Sequence, residues 1–301
     1  MASQKEVKSK IKTVGNIQKI TSAMEMIART KMKRAVDGVL AIRPYALYAR
    51  ELLKNLGSDK TLENPYLKQG TGNKTLLVII AADKGLCGGY NANIIRELRR
   101  RANSGEDMDL YTIGKKAGLE GMKLKMNIMG AHKDIPDKLT SGWIEPIAEK
   151  IRKDYLDEGY KRVEILFTDY VSSFTQVVRT RVILPINVTE IDEVLAAAAT
   201  SEERTEELAN GSLKAFSPYL FEPSVSVIVN TIVPKLVDVS LLHALHEGRA
   251  SEESMRMFAM KNATENAQEL KDDLTLSYNR IRQQSITQEI AEIAAGAEAI
   301  S

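Results

Sequence analysis

The sequence predicts an α/β fold: a long antiparallel coiled coil of the N- and C-terminal helices plus a central Rossmann-like α/β domain. Three observations predict it. All eight prolines lie between Pro44 and Pro234, so both ends lack the residue that most strongly interrupts helices. Both ends carry apolar residues at mixed gaps of three and four, the repeat of a helix buried along one seam. Between them, a continuous apolar run opens a stretch in which strand-like and helix-like segments alternate, the pattern of a parallel sheet.

Composition narrows the function classes. With 301 residues, 44% of them hydrophobic, the chain can build a core, which excludes disorder throughout. An aromatic share of 5% is thin for a large mixed core and suits long helices. The 42 basic and 40 acidic residues leave a formal +2, so no large net field points to nucleic acid or an anionic membrane. The single cysteine, Cys87, excludes an intramolecular disulfide and any site needing two cysteines, and fits a reducing compartment. Apolar runs such as Thr75 to Ala82 and Pro223 to Pro234 fall short of the roughly 18 residues of a membrane span, so no direct membrane insertion is expected.

Residues 1–57 form the predicted N-terminal coiled-coil helix. Val7, Ile11, Val14, Ile17, Ile20, Met24 and Ile27 are expected along its seam, continued by Met32, Val36 and Leu40, with a kink at Pro44 and an end at Gly57. Residues 74–188 form the predicted central domain. Thr75 to Ala82 reads as a strand buried on both faces, followed by the turn Asp83 to Asn91 and a helix over Asn93 to Ala102. Further strands are expected over Asp109 to Ile113, Met122 to Met129 and Val163 to Thr168, with a helix over Ser141 to Glu158 and a final or edge strand over Val177 to Ile186. Residues 189–222 form an acidic connection, with seven acids against Arg204 between Thr189 and Asn210.

Residues 223–301 form the predicted C-terminal coiled-coil helix. Gly248 is a possible break and Ser251 a possible new cap, so its long stretch is counted from Ser251. Ile286, Ile290, Ile293, Ala297 and Ile300 recur at gaps of 4, 3, 4 and 3. Fifty helical residues span roughly 75 Å, more than the roughly 50 Å diameter of a compact chain of this length, so the helix is expected to project. The first 34 residues carry about +7 and residues 251–301 about −4, which favours pairing the two ends. The tip from Ile293 to Ile300 has almost no polar cover and calls for a sheath of protein or lipid.

The familiar chemical motifs are poorly matched. Gly85, Gly88 and Gly89 follow a strand but have neither the dinucleotide nor the P-loop spacing, which favours a structural turn over a nucleotide cradle. His243, His246 and Glu247 resemble a zinc-protease signature in the wrong order and without a third ligand. The basic N-terminal stripe lacks interleaved aromatics and has an acidic partner helix, which disfavours nucleic acid. No cofactor, metal or catalytic constellation is predicted.

Four blocks carry a family resemblance: Ile20-Thr-Ser-Ala-Met-Glu-Met-Ile-Ala-Arg-Thr-Lys-Met-Lys33, Asp83-Lys-Gly-Leu-Cys-Gly-Gly-Tyr-Asn91, Met255-Arg-Met-Phe-Ala-Met-Lys-Asn-Ala-Thr264 and Tyr278-Asn-Arg-Ile-Arg-Gln-Gln-Ser-Ile-Thr-Gln-Glu-Ile290. Together with the ending Gly296-Ala-Glu-Ala, they closely resemble the gamma subunit of the F-type rotary ATP synthase, from the first helix to the C-terminus. The resemblance implies a non-catalytic rotor shaft that couples ion flow through the membrane sector to ATP synthesis or hydrolysis at the catalytic beta subunits. Its implied partners are the alpha and beta subunits, the epsilon subunit and the c-ring, at the cytoplasmic face of a bacterial membrane or the matrix side in a mitochondrion. It implies rotor–stator coupling roles for Met24, Arg256, Arg282, Gln283, Thr287 and Glu289, and a bearing tip at Ile290, Ile293, Ala297 and Ile300. Arg280-Ile281 departs from the Lys-Ala pair of many relatives, and Arg29 is bulkier than the small residue often found there. The rival readings are a non-rotary coiled-coil scaffold and a nucleotide-binding α/β enzyme.

Overall fold

A computed structural model describes residues 4–56, 64–186 and 224–298. The chain divides into two compact units, one of Met1–Arg29 with Arg256–Ser301 and one of Thr30–Met255. Two helices contribute to both units, α1 (Gln4–Leu56) and α5 (Val225–Glu298). The expected acidic connection lies outside the described residues.

The larger unit contains β1 (Thr75–Ile80), α2 (Tyr90–Asn103), β2 (Met108–Ile113), α3 (Lys115–Lys123), β3 (Ile128–His132), α4 (Ser141–Asp157), β4 (Arg162–Tyr170) and β5 (Gln176–Leu184). The strands form one sheet in the order β3-β2-β1-β4-β5. The first four are parallel, with Leu77 opposite Leu110 and Glu164, and β5 closes one edge antiparallel to β4. β1 lies at the centre of the order and is buried along its whole length.

Alternation along β1 sends side chains into two separate cores, as the twofold period of a strand requires. Leu76, Val78 and Ile80 pack with Ile144, Ile147 and Ile151 of α4 and with Val237, Leu241 and Leu245 of α5. Leu77 and Ile79 pack with Ile94 and Leu98 of α2 and Ala117 of α3. Helices therefore cover both faces, the Rossmann-like arrangement expected of a parallel sheet. The apolar stretch that makes α5 long and apolar enough to cross a membrane by composition thus includes residues that pack on this sheet.

Two expectations need correction. The strand expected over Met122 to Met129 is instead the end of α3, a turn and the start of β3. Met122, Leu124, Met126 and Ile128 alternate with polar residues as a strand would, but Lys125 takes a positive φ of 54° and separates helix from strand. Gly118 and Gly121 lie inside helix α3, where their low helix propensity weakens the helical signal. Gly121 is a contact position, because a Cβ there would lie 2.9 Å from Leu110 Cδ1.

The second correction concerns Gly248 and Ser251. Helix α5 runs through both without a break. A Cβ at Gly248 would lie 3.2 Å from both Ile80 Cγ2 and Tyr90 Oη, so glycine permits close approach of helix to sheet. Ser251 is buried and donates to the Thr168 carbonyl at 3.1 Å, so it ties α5 to β4 and caps nothing. Gly248→Val is expected to destabilise the unit by about 1–3 kcal/mol through overpacking. Thermal unfolding followed by circular dichroism should show Tm lowered by about 3–8 °C, and an unchanged Tm would refute the close-approach role.

Candidate functional site

Ligands of open parallel sheets usually bind beyond the carboxyl ends of the strands, near the point where strand order reverses. Here that point lies between β1 and β4, and the chain fills it with its own groups. The Asp83 carboxylate accepts from Lys115 N–H at 2.9 Å and from Ile135 N–H at 2.8 Å. Asn91 Oδ1 accepts from Ala82 N–H at 3.0 Å. Gly88 adopts φ 54° and Gly114 φ 98°, the left-handed conformations that favour glycine. The glycine turn is therefore tied down by its own backbone and side chains, and Cys87 is buried within it.

Beyond β4, residues of α5 occupy the remaining space. Tyr170 N–H donates to Glu247 at 2.7 Å, and Ser254 Oγ donates to the Ser173 carbonyl at 2.7 Å. The zinc-like trio dissolves into this packing. His243 is fully buried with Nδ1 3.4 Å from the Arg181 guanidinium, and burial holds its pKa down at about 3. Burial pushes the Glu247 carboxyl up to about 8, reinforced by Asp169 and opposed by Tyr170 N–H and Arg181. At neutral pH this places a neutral imidazole beside a protonated acid. No group of three or more metal-ligating side chains gathers among the described residues.

The smaller unit has a different chemistry. Hydrogen bonds that join α1 to α5 include Gln4 to Tyr278 at 3.4 Å, Gln18 to Gln268 at 2.7 Å and Thr264 to Thr21 at 2.7 Å. Rising numbers on one helix meet falling numbers on the other, so the pair is antiparallel. These three bonds join neutral groups.

The seam itself also differs from the expected one. Val7, Ile11, Val14, Gln18, Thr21, Glu25 and Ala28 are the buried or half-buried stripe, at strict gaps of 4 and 3. Ile17, Ile20 and Ile27, expected inside, are 47%, 59% and 56% exposed. Val7, Ile11, Val14 and Met24 are buried or half-buried as expected, while polar and small residues take the seam positions that Ile17, Ile20 and Ile27 were expected to hold, so a hydrophobicity pattern alone follows the stripe only in part. The signal was present as an unbroken seven-residue spacing from Val7 through Val14, Thr21, Ala28 and Ala35 to Ile42. The partner stripe on α5 follows the same rule through Met260, Thr264, Ala267, Lys271, Leu274, Tyr278 and Ile281.

The residues singled out for coupling fall into two groups within this unit. Pairing of Thr21 with Thr264 carries Met24, which is half-buried, and Arg256, which is buried, to one end of the coil. Arg282, Gln283, Thr287 and Glu289 lie at the other end and are all exposed. Ile290 and Ile293 are 62% and 73% exposed beside them. Helical spacing puts Arg282, Ile286, Glu289 and Ile293 in one row and Gln283, Thr287 and Ile290 in the next. Gln4, the first described residue of α1, already bonds Tyr278, so this double row lies on α5 past the described partner helix. The side chain of Ala297 and all of Ile300 lie outside the described residues.

With the geometry established, comparison with known proteins is decisive. Residues 3–300 match the ATP synthase family. The chain is 37% identical to the ATP synthase gamma chain of Flavobacterium johnsoniae and 35% identical to that of Geotalea uraniireducens, covering all of this chain and 100% and 99% of those proteins. A chain of the Euglena gracilis mitochondrial ATP synthase shares the fold at TM-score 0.66 and 19% identity, over 99% of this chain and 94% of its own. A chain of the Tetrahymena thermophila mitochondrial ATP synthase central stalk and c-ring does so at TM-score 0.58 and 24% identity, over 81% of this chain and 99% of its own. An antiparallel terminal coil, a self-filled α/β crevice and full-length identity to these relatives agree: the chain belongs to the ATP synthase gamma chain family.

Proposed function

We propose that the chain is the non-catalytic central rotor shaft of an F-type ATP synthase, turning within the alpha/beta hexamer and linking it to the c-ring. The observation that carries this reading, beside the family membership, is the exposed double row on α5 past the described part of α1. It combines apolar side chains for a sliding surface with Arg282, Gln283 and Glu289 for polar contacts to a surrounding ring. The filled crevice of the α/β unit supports the non-catalytic part, because the usual ligand position holds Glu247, Gly248 and Ser254 of the same chain.

The shaft acts by differential binding. An asymmetric rod presents different faces to three chemically identical catalytic subunits, so each angle favours a different open, loose or tight state. Driving one site from 1:99 to 99:1 takes about 5.5 kcal/mol of differential interaction. One exposed ion pair supplies about 0–1 kcal/mol, so coupling is shared along both ends of the coil, with Met24 and Arg256 at one end and Arg282, Gln283, Thr287 and Glu289 at the other. Ile290, Ile293, Ala297 and Ile300 form the bearing. Epsilon joins the α/β unit, and the complex is peripheral to the membrane, facing the cytoplasm of a bacterium.

Assembly tests the proposal. Mixed with alpha and beta subunits, the full chain is expected to co-elute as one copy per hexamer and to confer ATP hydrolysis that drives rotation of a bead fixed to the α/β unit. A coiled-coil scaffold would assemble without rotation. An enzyme would bind ATP, ADP or NAD alone at micromolar concentration in calorimetry. Either outcome would overturn the shaft reading.

A further inference from the structure

A cavity of about 600 Å³ lies wholly within the larger unit, between α1, the segment leading into α4, and α5. Its size falls in the range of small-molecule sites. Its wall is mostly apolar, with Ala35 and Ile42 from α1, Leu139 before α4 and Leu242 from α5.

The charges on the wall are unevenly matched. Asp137 is shared by Lys31 at 2.6 Å and Arg249 at 3.3 Å, and Arg249 also reaches Glu252 at 3.1 Å. That set is balanced. Among the described residues, Arg34 and Lys138 remain on the wall with Asp37 as the only further carboxylate there, an excess of one positive charge. One more feature favours an anion. Thr140 and Ser141 at the start of the 17-residue helix α4 line the cavity, its first turn has no acidic residue, and Thr140 makes no side-chain capping bond. His246 also lines the cavity, with its ring packed against Gly38 of α1.

We propose that this cavity is a binding site for a small amphipathic monocarboxylate, with an alkyl body against the apolar wall and its acid group on Arg34, Lys138 and the start of α4. Apolar area supplies affinity, and the one unmatched positive charge selects a monoanion over a neutral or cationic amphiphile. The site is separate from the coil surfaces assigned to coupling.

Calorimetry on the full chain tests it with decanoate, decanol, acetate and decyltrimethylammonium, each below its micellar concentration. Decanoate is expected to bind at one site per chain, at least tenfold tighter than decanol, with acetate and the cation showing no saturable binding. Ala41→Trp, at an exposed α1 position lining the cavity, is expected to abolish binding by filling it. Arg34→Glu with Lys138→Glu is expected to weaken decanoate at least tenfold while leaving decanol unchanged. Ile290→Ser with Ile293→Ser, at the proposed bearing, is expected to leave decanoate binding by the isolated chain unchanged. Equal binding of decanol or the cation would overturn the proposal, as would loss of decanoate binding in the Ile290/Ile293 variant, which would assign binding to the exposed tip. Undiminished binding in either cavity variant, each checked for a native circular dichroism spectrum, would overturn it too.

Discussion

Replacing Arg282 and Gln283 together with alanine is expected to lower the rate of ATP synthesis by the assembled complex at least tenfold while leaving the unfolding temperature of the isolated chain unchanged. Both side chains are exposed on α5, and neither belongs to a buried cluster. Their removal therefore costs the fold little, as is usual for surface positions. In the complex, an arginine reaching a carboxylate of the stator makes a charge-assisted hydrogen bond of about 1.5–3 kcal/mol. Losing that much at one rotor angle changes the occupancy of the favoured state by about 10- to 100-fold. Proton-driven synthesis and ATP-driven pumping in reconstituted vesicles would measure the effect. Unchanged coupling would remove these two residues from the mechanism. Deleting the residues after Gln288 is a weaker test, because torque shared along the coil lets a short loss pass.

The contrast between isolated chain and complex follows from where the signals in the sequence come from. The parallel sheet was legible because β1 is buried on both faces and reads as six consecutive strand residues, and because α2 and α4 carry ordinary amphipathic patterns. Helix α3 was not legible. Its Gly121 saves space against Leu110 of β2, and tertiary packing overrides the low helix propensity of Gly118 and Gly121. The same physics hid the continuity of α5 at Gly248. The coil was legible as a coil but not in its facing. Gln18 and Thr21 are held inside by partners Gln268 and Thr264 from the other end of the chain, which no local pattern reveals. The isoleucines Ile17, Ile20 and Ile27 are left exposed by this facing. The proposed coupling residues rest on family likeness alone, since an exposed Arg282 carries no local mark that separates it from any solvated helix charge.

The second large effect concerns pH and the acid at the heart of the α/β unit. Glu247→Gln is expected to leave Tm unchanged at pH 4 and to raise it by about 3–8 °C at pH 8.5. Neutral Glu247 donates to Asp169, which also binds Arg179 at 2.5 Å, and it accepts from Tyr170 N–H. Glutamine keeps both a donor and an acceptor there, so the packing survives. Its folded pKa of about 8 lies above the ordinary value of 4.5. The unfolded chain thus releases this proton first, and stability falls as pH rises from about 4.5 to about 8. His243 works the other way. Its folded pKa of about 3 lies below the ordinary 6.5, so the unfolded chain binds a proton that the folded chain refuses, and stability rises with pH across that interval. Arg181 and His246 add to burial in keeping His243 neutral. Where the intervals overlap, from about pH 4.5 to 6.5, the two slopes oppose each other. These groups therefore impose a stability plateau in that window and a decline on its alkaline side, and the glutamine variant, left with the His243 slope alone, should gain stability through the window and hold it on the alkaline side. Thermal melts of both proteins at half-unit steps from pH 4 to 9 would decide it. A parallel decline in the two would show that Glu247 is already ionised in the folded chain at neutral pH, and that the α/β core tolerates a buried carboxylate.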